Sequence, residues 1–195
     1  MPRRRKIISV GASSKKAGKS KVAAHLVRSL KAGGALKVSS GAHAPSSIVT
    51  DPETLARPGT DTAALLQAGA GKVIWVNAPP SRLAIELERA LGMFPPGGTL
   101  VIEGNSALAH VDADFSVFLM SVPFEQFKPS AEQALGKADL VLADLRWSLK
   151  GERKDSIGAG IAERIPGAQV IYYSDEPGFA SALERTTSMA RRALA

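Results

Sequence analysis

No cysteine occurs in this chain of 195 residues, which excludes disulfides and thiolate-held metals. Histidine is scarce too. His25, His43 and His110 lie far apart without metal-ligand spacing, which argues against a structural zinc site. No apolar run approaches the roughly 20 residues of a membrane span. Only about five mainly apolar residues follow the basic N-terminus, too few for a signal peptide. A cytoplasmic chain without a membrane partner is the resulting expectation. Its length is that of about one domain, large enough to bury a core without staples, so a single domain over 1–195 is expected.

Acidic residues are missing from the first fifty positions, which carry eleven Lys or Arg. The remainder holds fourteen Lys or Arg against eighteen Asp or Glu, for an overall charge of +7. No aromatic residue interleaves with the basic run Arg3-Arg4-Arg5-Lys6. The run therefore reads as a solvated terminus rather than a nucleic-acid interface. Lys15, Lys16, Lys19 and Lys21 are different, because they cluster at one loop and create a local field favouring a polyanion.

That loop is the most specific signal in the sequence. Ile7, Ile8 and Val10 predict a short strand, and Val22, Ala23, Leu26, Val27 and Leu30 predict a helix. Between them run Ser13, Ser14, Lys15, Lys16, Ala17, Gly18, Lys19, Ser20 and Lys21. A strand, a small-residue loop, then Gly-Lys-Ser opening a helix is the order of a phosphate-binding loop. Loop amides and the helix N-terminus favour an anion, and Lys19 adds a full positive charge. Ser20 would place a hydroxyl on the Mg²⁺ that accompanies a nucleoside triphosphate. The usual spacing is G-x-x-x-x-G-K-[ST], yet five residues before Gly18 stands Ser13, and the nearest glycine is Gly11. Either Ser13 replaces the first glycine, with altered loop geometry, or the loop is two residues longer.

Beyond the loop, strand and helix patterns alternate. Strands are predicted over 35–39, 72–76, 99–103, 115–120, 140–143 and 169–173. Helices are predicted over 62–68, 81–91, 130–137 and 177–194, with a weaker one over 155–165. Residues 40–61, rich in Gly, Pro, Ser, Thr and Asp, read as a long loop with a functional use. Near-continuous Val/Ile/Leu runs indicate strands buried on both faces of a parallel sheet. The expected fold is α/β, three layers around a mostly parallel central sheet, with ligands at the carboxyl ends of the strands.

Two carboxylates are candidates for work beside the loop. Glu103 ends an apolar strand, where it can hold Mg²⁺ or orient a nucleophile, or merely cap a turn. Asp61 and Asp51 flank Arg57-Pro58-Gly59-Thr60 and can reach a metal or simply build turns, with Asp61 or Thr60 as a helix N-cap. Lys37 and His43, on or after the second strand, are placed to face the same cleft. No Asn-Lys-x-Asp pattern follows the late strand; Asp144, at its carboxyl end, can read a base edge or cap the next turn. GTP and ATP both remain open from these residues.

Five features in this order resemble the molybdopterin-guanine dinucleotide biosynthesis protein B family. They are the loop at 11–20, Lys37 on the second strand, Arg57-Pro58-Gly59-Thr60-Asp61-Thr62, Gln67-Ala68-Gly69-Ala70, and Val101-Ile102-Glu103-Gly104. The resemblance implies a P-loop protein related to metallochaperone GTPases and dethiobiotin synthetase. It implies a homodimeric, weakly hydrolytic GTP-binding adaptor that assists a partner enzyme in attaching a nucleotide to molybdopterin. This chain departs from the pattern at Ser13 to Lys16, at Val38-Ser39-Ser40 after Lys37, and at Asn105-Ser106 after Glu-Gly. Competing readings are an ATP-dependent small-molecule kinase or ligase, with its substrate between loop 40–61 and Glu103, and a nucleotide-binding module without turnover.

Overall fold

The computed structural model describes residues 4–121, 127–146, 161, 163 and 165–195. Eight strands form one sheet: β1 (Lys6–Ala12), β2 (Gly34–Ser40), β3 (Ser47–Val49), β4 (Lys72–Ala78), β5 (Thr99–Glu103), β6 (Phe115–Ser121), β7 (Leu140–Asp144) and β8 (Gln169–Tyr173). Their order across the sheet is β3-β4-β2-β5-β1-β6-β7-β8. Every pair is parallel except β3 with β4. The carboxyl ends of the seven parallel strands therefore share one edge. β1 lies between β5 and β6, and the chain leaves it toward β2 on one side before returning to β6 on the other. This is a topological switch point, where α/β sheets open a ligand crevice.

Helices cover both faces. On one side lie α1 (Lys19–Leu30), α2 (Pro52–Leu55), α3 (Asp61–Gln67) and α6 (Glu176–Leu194), packed on Ile8, Val10, Ala35, Val101 and Val117. On the other lie α4 (Pro80–Gly92) and α5 (Pro129–Leu135), packed on Leu36, Ile74, Ile102, Phe118 and Val141. The strands alternate between these cores with period two, so β6 and β7 are buried on both faces. The result is the three-layer α/β arrangement that the apolar runs predict. Most of the predicted helix 155–165 lies outside the described residues; at its end, Ile161 and Ile165 are buried and joined by a helical hydrogen bond of 2.9 Å.

Residues 40–61 are not one loop. They carry β3, an antiparallel edge strand, and α2, capped by Asp51, whose carboxylate accepts from the Thr54 N–H at 2.8 Å. A short 3₁₀ turn, Asn105–Ala109, also follows β5. The basic start of the chain is fastened at the amino edge of the sheet: Arg4 pairs with Asp114, and Arg5 donates to the carbonyls of Phe94 at 2.8 Å and Pro95 at 3.0 Å. Among the described residues no helix is long and apolar enough to cross a membrane.

Candidate nucleotide site

β1 runs through Gly11 and ends at Ala12, so the loop begins at Ser13. Gly11 is a strand residue paired with Phe118, and a Cβ there would lie 3.0 Å from Asn105 Oδ1. Of the two spacings open in the sequence, the structure has Ser13 at the loop's first position. Ser13 needs no left-handed backbone: its N–H donates to Leu119 O at 2.9 Å and its hydroxyl accepts from Ser121 N–H at 3.3 Å. The left-handed residues are instead Lys16 (φ 67°) and Gly18 (φ 98°). Left-handed steps within a loop turn successive N–H groups to one side and make an anion-binding concavity.

Gly18 is the N-cap of α1, and among the described residues no side chain caps that terminus, nor does an acid stand in its first turn. The helix therefore presents unsatisfied N–H groups and uncompensated positive polarity. Lys19 folds back so that Nζ donates to Ser14 O at 3.1 Å. Burial pushes its pKa below the usual lysine value, and the neighbouring Lys37 charge adds to that, against the attraction of Glu103 and Asp61. Among the described residues this half-buried ammonium makes no direct ion pair, Glu103 and Asp61 acting on it only through space.

Ser20 is where the elements converge. Its hydroxyl lies 2.5 Å from Asp61 Oδ1 and 3.3 Å from Glu103 Oε1. Asp61 is free for this because Thr60, not Asp61, caps α3, its hydroxyl accepting from the Ala63 N–H at 3.2 Å. Glu103 is only 1% exposed. Gly104 turns the chain sharply behind it at φ 143°, where a Cβ would lie 2.4 Å from Val38 O. Lys37 completes the cluster, paired with Asp61 and 2.7 Å from Glu103 Oε1. Burial alone would lower the Lys37 pKa, but the Glu103 charge and the bonds to both carboxylates raise it above the usual lysine value. Burial would raise the Asp61 pKa; the bonds from Lys37 and Ser20 outweigh that and hold it low.

Glu103 Oε2 is buried without a hydrogen-bond partner among the described residues. An orphaned carboxylate oxygen costs free energy unless a cation or donor meets it. Ser20, Asp61 and Glu103 supply hard oxygens only, the donor set that suits Mg²⁺, which takes one or two carboxylates plus phosphate oxygens. Among the described residues no group of three or more His, Cys, Asp or Glu forms an all-protein metal cage. The residues fit a cation that arrives with phosphate.

Ser14, Lys15, Lys16 and Lys21 are exposed around the loop, with Ala17 half-buried beneath it. His43 is exposed on the turn after β2. Asp144 stands apart, at the carboxyl end of β7, where Arg146 grips both oxygens at 2.7 to 3.1 Å. Reading a base edge would first require that ion pair to open. Asn105 is a residue the sequence pattern did not single out for the site. Its amide brackets Ala12, accepting from its N–H and donating to its carbonyl, both at 2.8 Å, and so pins the point where the loop departs. A polar residue after an apolar strand gives no periodic signal, so only the tertiary contact reveals it.

Next to the cluster opens a cleft of about 380 Å³ lined by Lys37, Ser39, Thr54, Arg57, Thr60 and Trp75, with Asp61 on its wall.

No protein-family model and no curated protein sequence matches this chain. Solved structures do. HypB from Helicobacter pylori in complex with nickel is similar at 14% identity and TM-score 0.59, over 95% of this chain and 87% of that one. The hydrogenase maturation factor HypB from Archaeoglobus fulgidus is similar at 13% identity and TM-score 0.56, over 95% and 90%. A plasmid partition protein from Borrelia burgdorferi is similar at 13% identity and TM-score 0.52, over 97% and 99%. At such identities the likeness is one of fold. The chain has the three-layer α/β fold of the P-loop NTPases.

Proposed function

We propose that this chain binds a nucleoside triphosphate together with Mg²⁺ at residues 13–20 and turns it over slowly. One observation carries this reading: Ser20, directly after Lys19 in the first turn of α1, meets Asp61 and Glu103, and a Glu103 oxygen has no partner among the described residues. The loop amides would orient the phosphates, and Lys19 would neutralise charge on the γ-phosphoryl group as water attacks in line. Glu103 and Asp61 are the carboxylates placed to orient that water. When bound, Mg²⁺ supplies further neutralisation of the β- and γ-phosphate oxygens, and Ser20, Asp61 and Glu103 would hold it. GTP is the nucleotide to test first, on the family resemblance. The same resemblance supplies the homodimer, the cytoplasmic location and the partner enzyme of molybdenum-cofactor assembly as proposals.

Calorimetric titration of the full chain with Mg²⁺ and GTP or ATP tests the site. The Lys19→Ala variant should bind at least roughly tenfold more weakly, the scale of one lost charge-assisted hydrogen bond. Arg4→Ala, at the far edge of the sheet, should match the wild type. Equal losses in the two variants contradict the assignment.

The cleft beside Asp61 favours a second reading, in which a small acceptor takes the γ-phosphoryl group, as in an ATP-dependent kinase or ligase. Phosphate release without any acceptor supports hydrolysis; turnover only with an added metabolite supports transfer.

A further inference from the structure

We propose that the cleft between the β2–β4 surface and the turn at 57–60 is a second ligand site. Its occupant would be a small organic acid, carrying a carboxylate or phosphate on a flat or ring-bearing body. Arg57 anchors the acid and Trp75 receives the ring.

Register builds the floor. Lys37 and Trp75 are cross-strand partners in the β2–β4 ladder, and Ser39 follows Lys37 on the same face by the period of two. Trp75 is half-buried, and its indole N–H donates to Ser39 Oγ at 3.1 Å, which ties the ring to the neighbouring strand. The opposite wall is the α2–α3 connection. Thr54 comes from α2, while Arg57, Gly59 and Thr60 come from a turn that Gly59 makes at φ 79°. Thr60 Oγ1 donates to Arg57 O at 2.8 Å and holds that turn closed.

Charge selects the ligand. Of the two cations lining the cleft, Lys37 is committed to Asp61 and Glu103. The Arg57 side chain makes no ion pair or hydrogen bond among the described residues. A free guanidinium presents a planar fork that matches carboxylate or phosphate with two parallel bonds. The Trp75 indole, which lines the same cleft, takes an apolar or aromatic body. The volume of about 380 Å³ suits a metabolite rather than a peptide. Asp61 and Lys37 form the shared wall between this cleft and Ser20, so the ligand would sit beside the phosphate site. Its use as a phosphoryl acceptor rests on the triphosphate reading above; the binding site itself does not.

Benzoate and phenyl phosphate are the probes, with benzamide as the neutral control and inorganic phosphate as the ring-free one. Binding is followed by Trp75 fluorescence in a Trp147→Phe background and by calorimetry. At least one aromatic acid should give saturable quenching, and the better of the two names the acid group. Its affinity should fall about tenfold or more in Arg57→Gln, the loss of one charge-assisted pair. Lys19→Ala should leave that affinity unchanged, and both controls should bind more weakly. The proposal fails if neither acid saturates, if Arg57→Gln binds as the wild type does, or if Lys19→Ala abolishes binding, which places the probe on the phosphate loop. Aromatic-acid binding in a protein that binds no triphosphate keeps this site and removes the function proposed above.

Discussion

Lys16 carries the loop's local cost. A lysine at φ 67° sits in the left-handed region, where a side chain costs about 1 kcal/mol or more and glycine costs little. Lys16→Gly should therefore be neutral to about 1 kcal/mol stabilising in urea unfolding. It should also weaken triphosphate binding by roughly two- to fivefold, as one exposed charge is lost. Lys19 adds a pH dependence whose sign is fixed. Its pKa is depressed, chiefly by burial, and a triphosphate prefers the protonated form. Affinity should be full on the acid side and decline as pH rises through that lowered pKa, below the range of an ordinary lysine. Titrations between neutral and alkaline pH check this, and Lys19→Arg should flatten the decline. The motif is legible in the sequence, including the absence of its first glycine. Which residue takes the left-handed turn is not, because Ser13 is held by β6, a partner that spacing within the loop does not reveal.

At the scale of elements, β5 and its exit position the chemistry. Glu103 emerges at the strand end, Gly104 bends the chain against Val38, and Asn105 clasps Ala12 of β1. Gly104→Ala should destabilise the fold by about 2–3 kcal/mol, since a Cβ there meets a carbonyl in a backbone region that L residues avoid. Denaturant unfolding with an unchanged m-value would report it. Asn105→Ala should cost about 1–2 kcal/mol for two hydrogen bonds and should weaken triphosphate binding as the loop's origin loosens. The strands here are legible because buried parallel strands write continuous apolar runs. β3 and α2 are not, since Ser47–Val49 and Pro52–Leu55 are too short to show a period. Their signal lies in turn chemistry: Asp51-Pro52 reads as a loop in the sequence and is an N-cap with proline in the first turn. The convergence of Asp61 with Ser20 depends on Thr60 taking the cap, a choice between adjacent residues that sequence leaves open.

On the scale of the whole molecule, the sheet order gathers groups that are far apart in the chain. Ser20, Lys37, Asp61 and Glu103 meet because β1, β2 and β5 are neighbours and parallel, with their carboxyl ends on one edge. Composition places the positive charge in the first fifty residues; only topology divides it, sending Arg4 and Arg5 to the opposite edge from Lys19. Alternation of strands and helices indicates the fold class, whereas the pairing order and the cleft at Arg57 and Trp75 require the fold itself. A ligand that grips this junction should stabilise the whole domain. At one hundred times its dissociation constant, Mg²⁺–triphosphate should add about 2.7 kcal/mol, seen as a rise in Tm of a few degrees per kcal/mol. Lys19→Ala should show almost none of that rise at the same concentration.

The most direct measurement is a crystal structure of the full chain grown with Mg²⁺ and a non-hydrolysable nucleoside triphosphate. The β-phosphate should lie within hydrogen-bonding distance of the backbone N–H groups of residues 15–20, with the metal on the Ser20 hydroxyl and the Glu103 side. A triphosphate bound elsewhere, or a loop whose amides face away from it, contradicts the phosphate-site assignment.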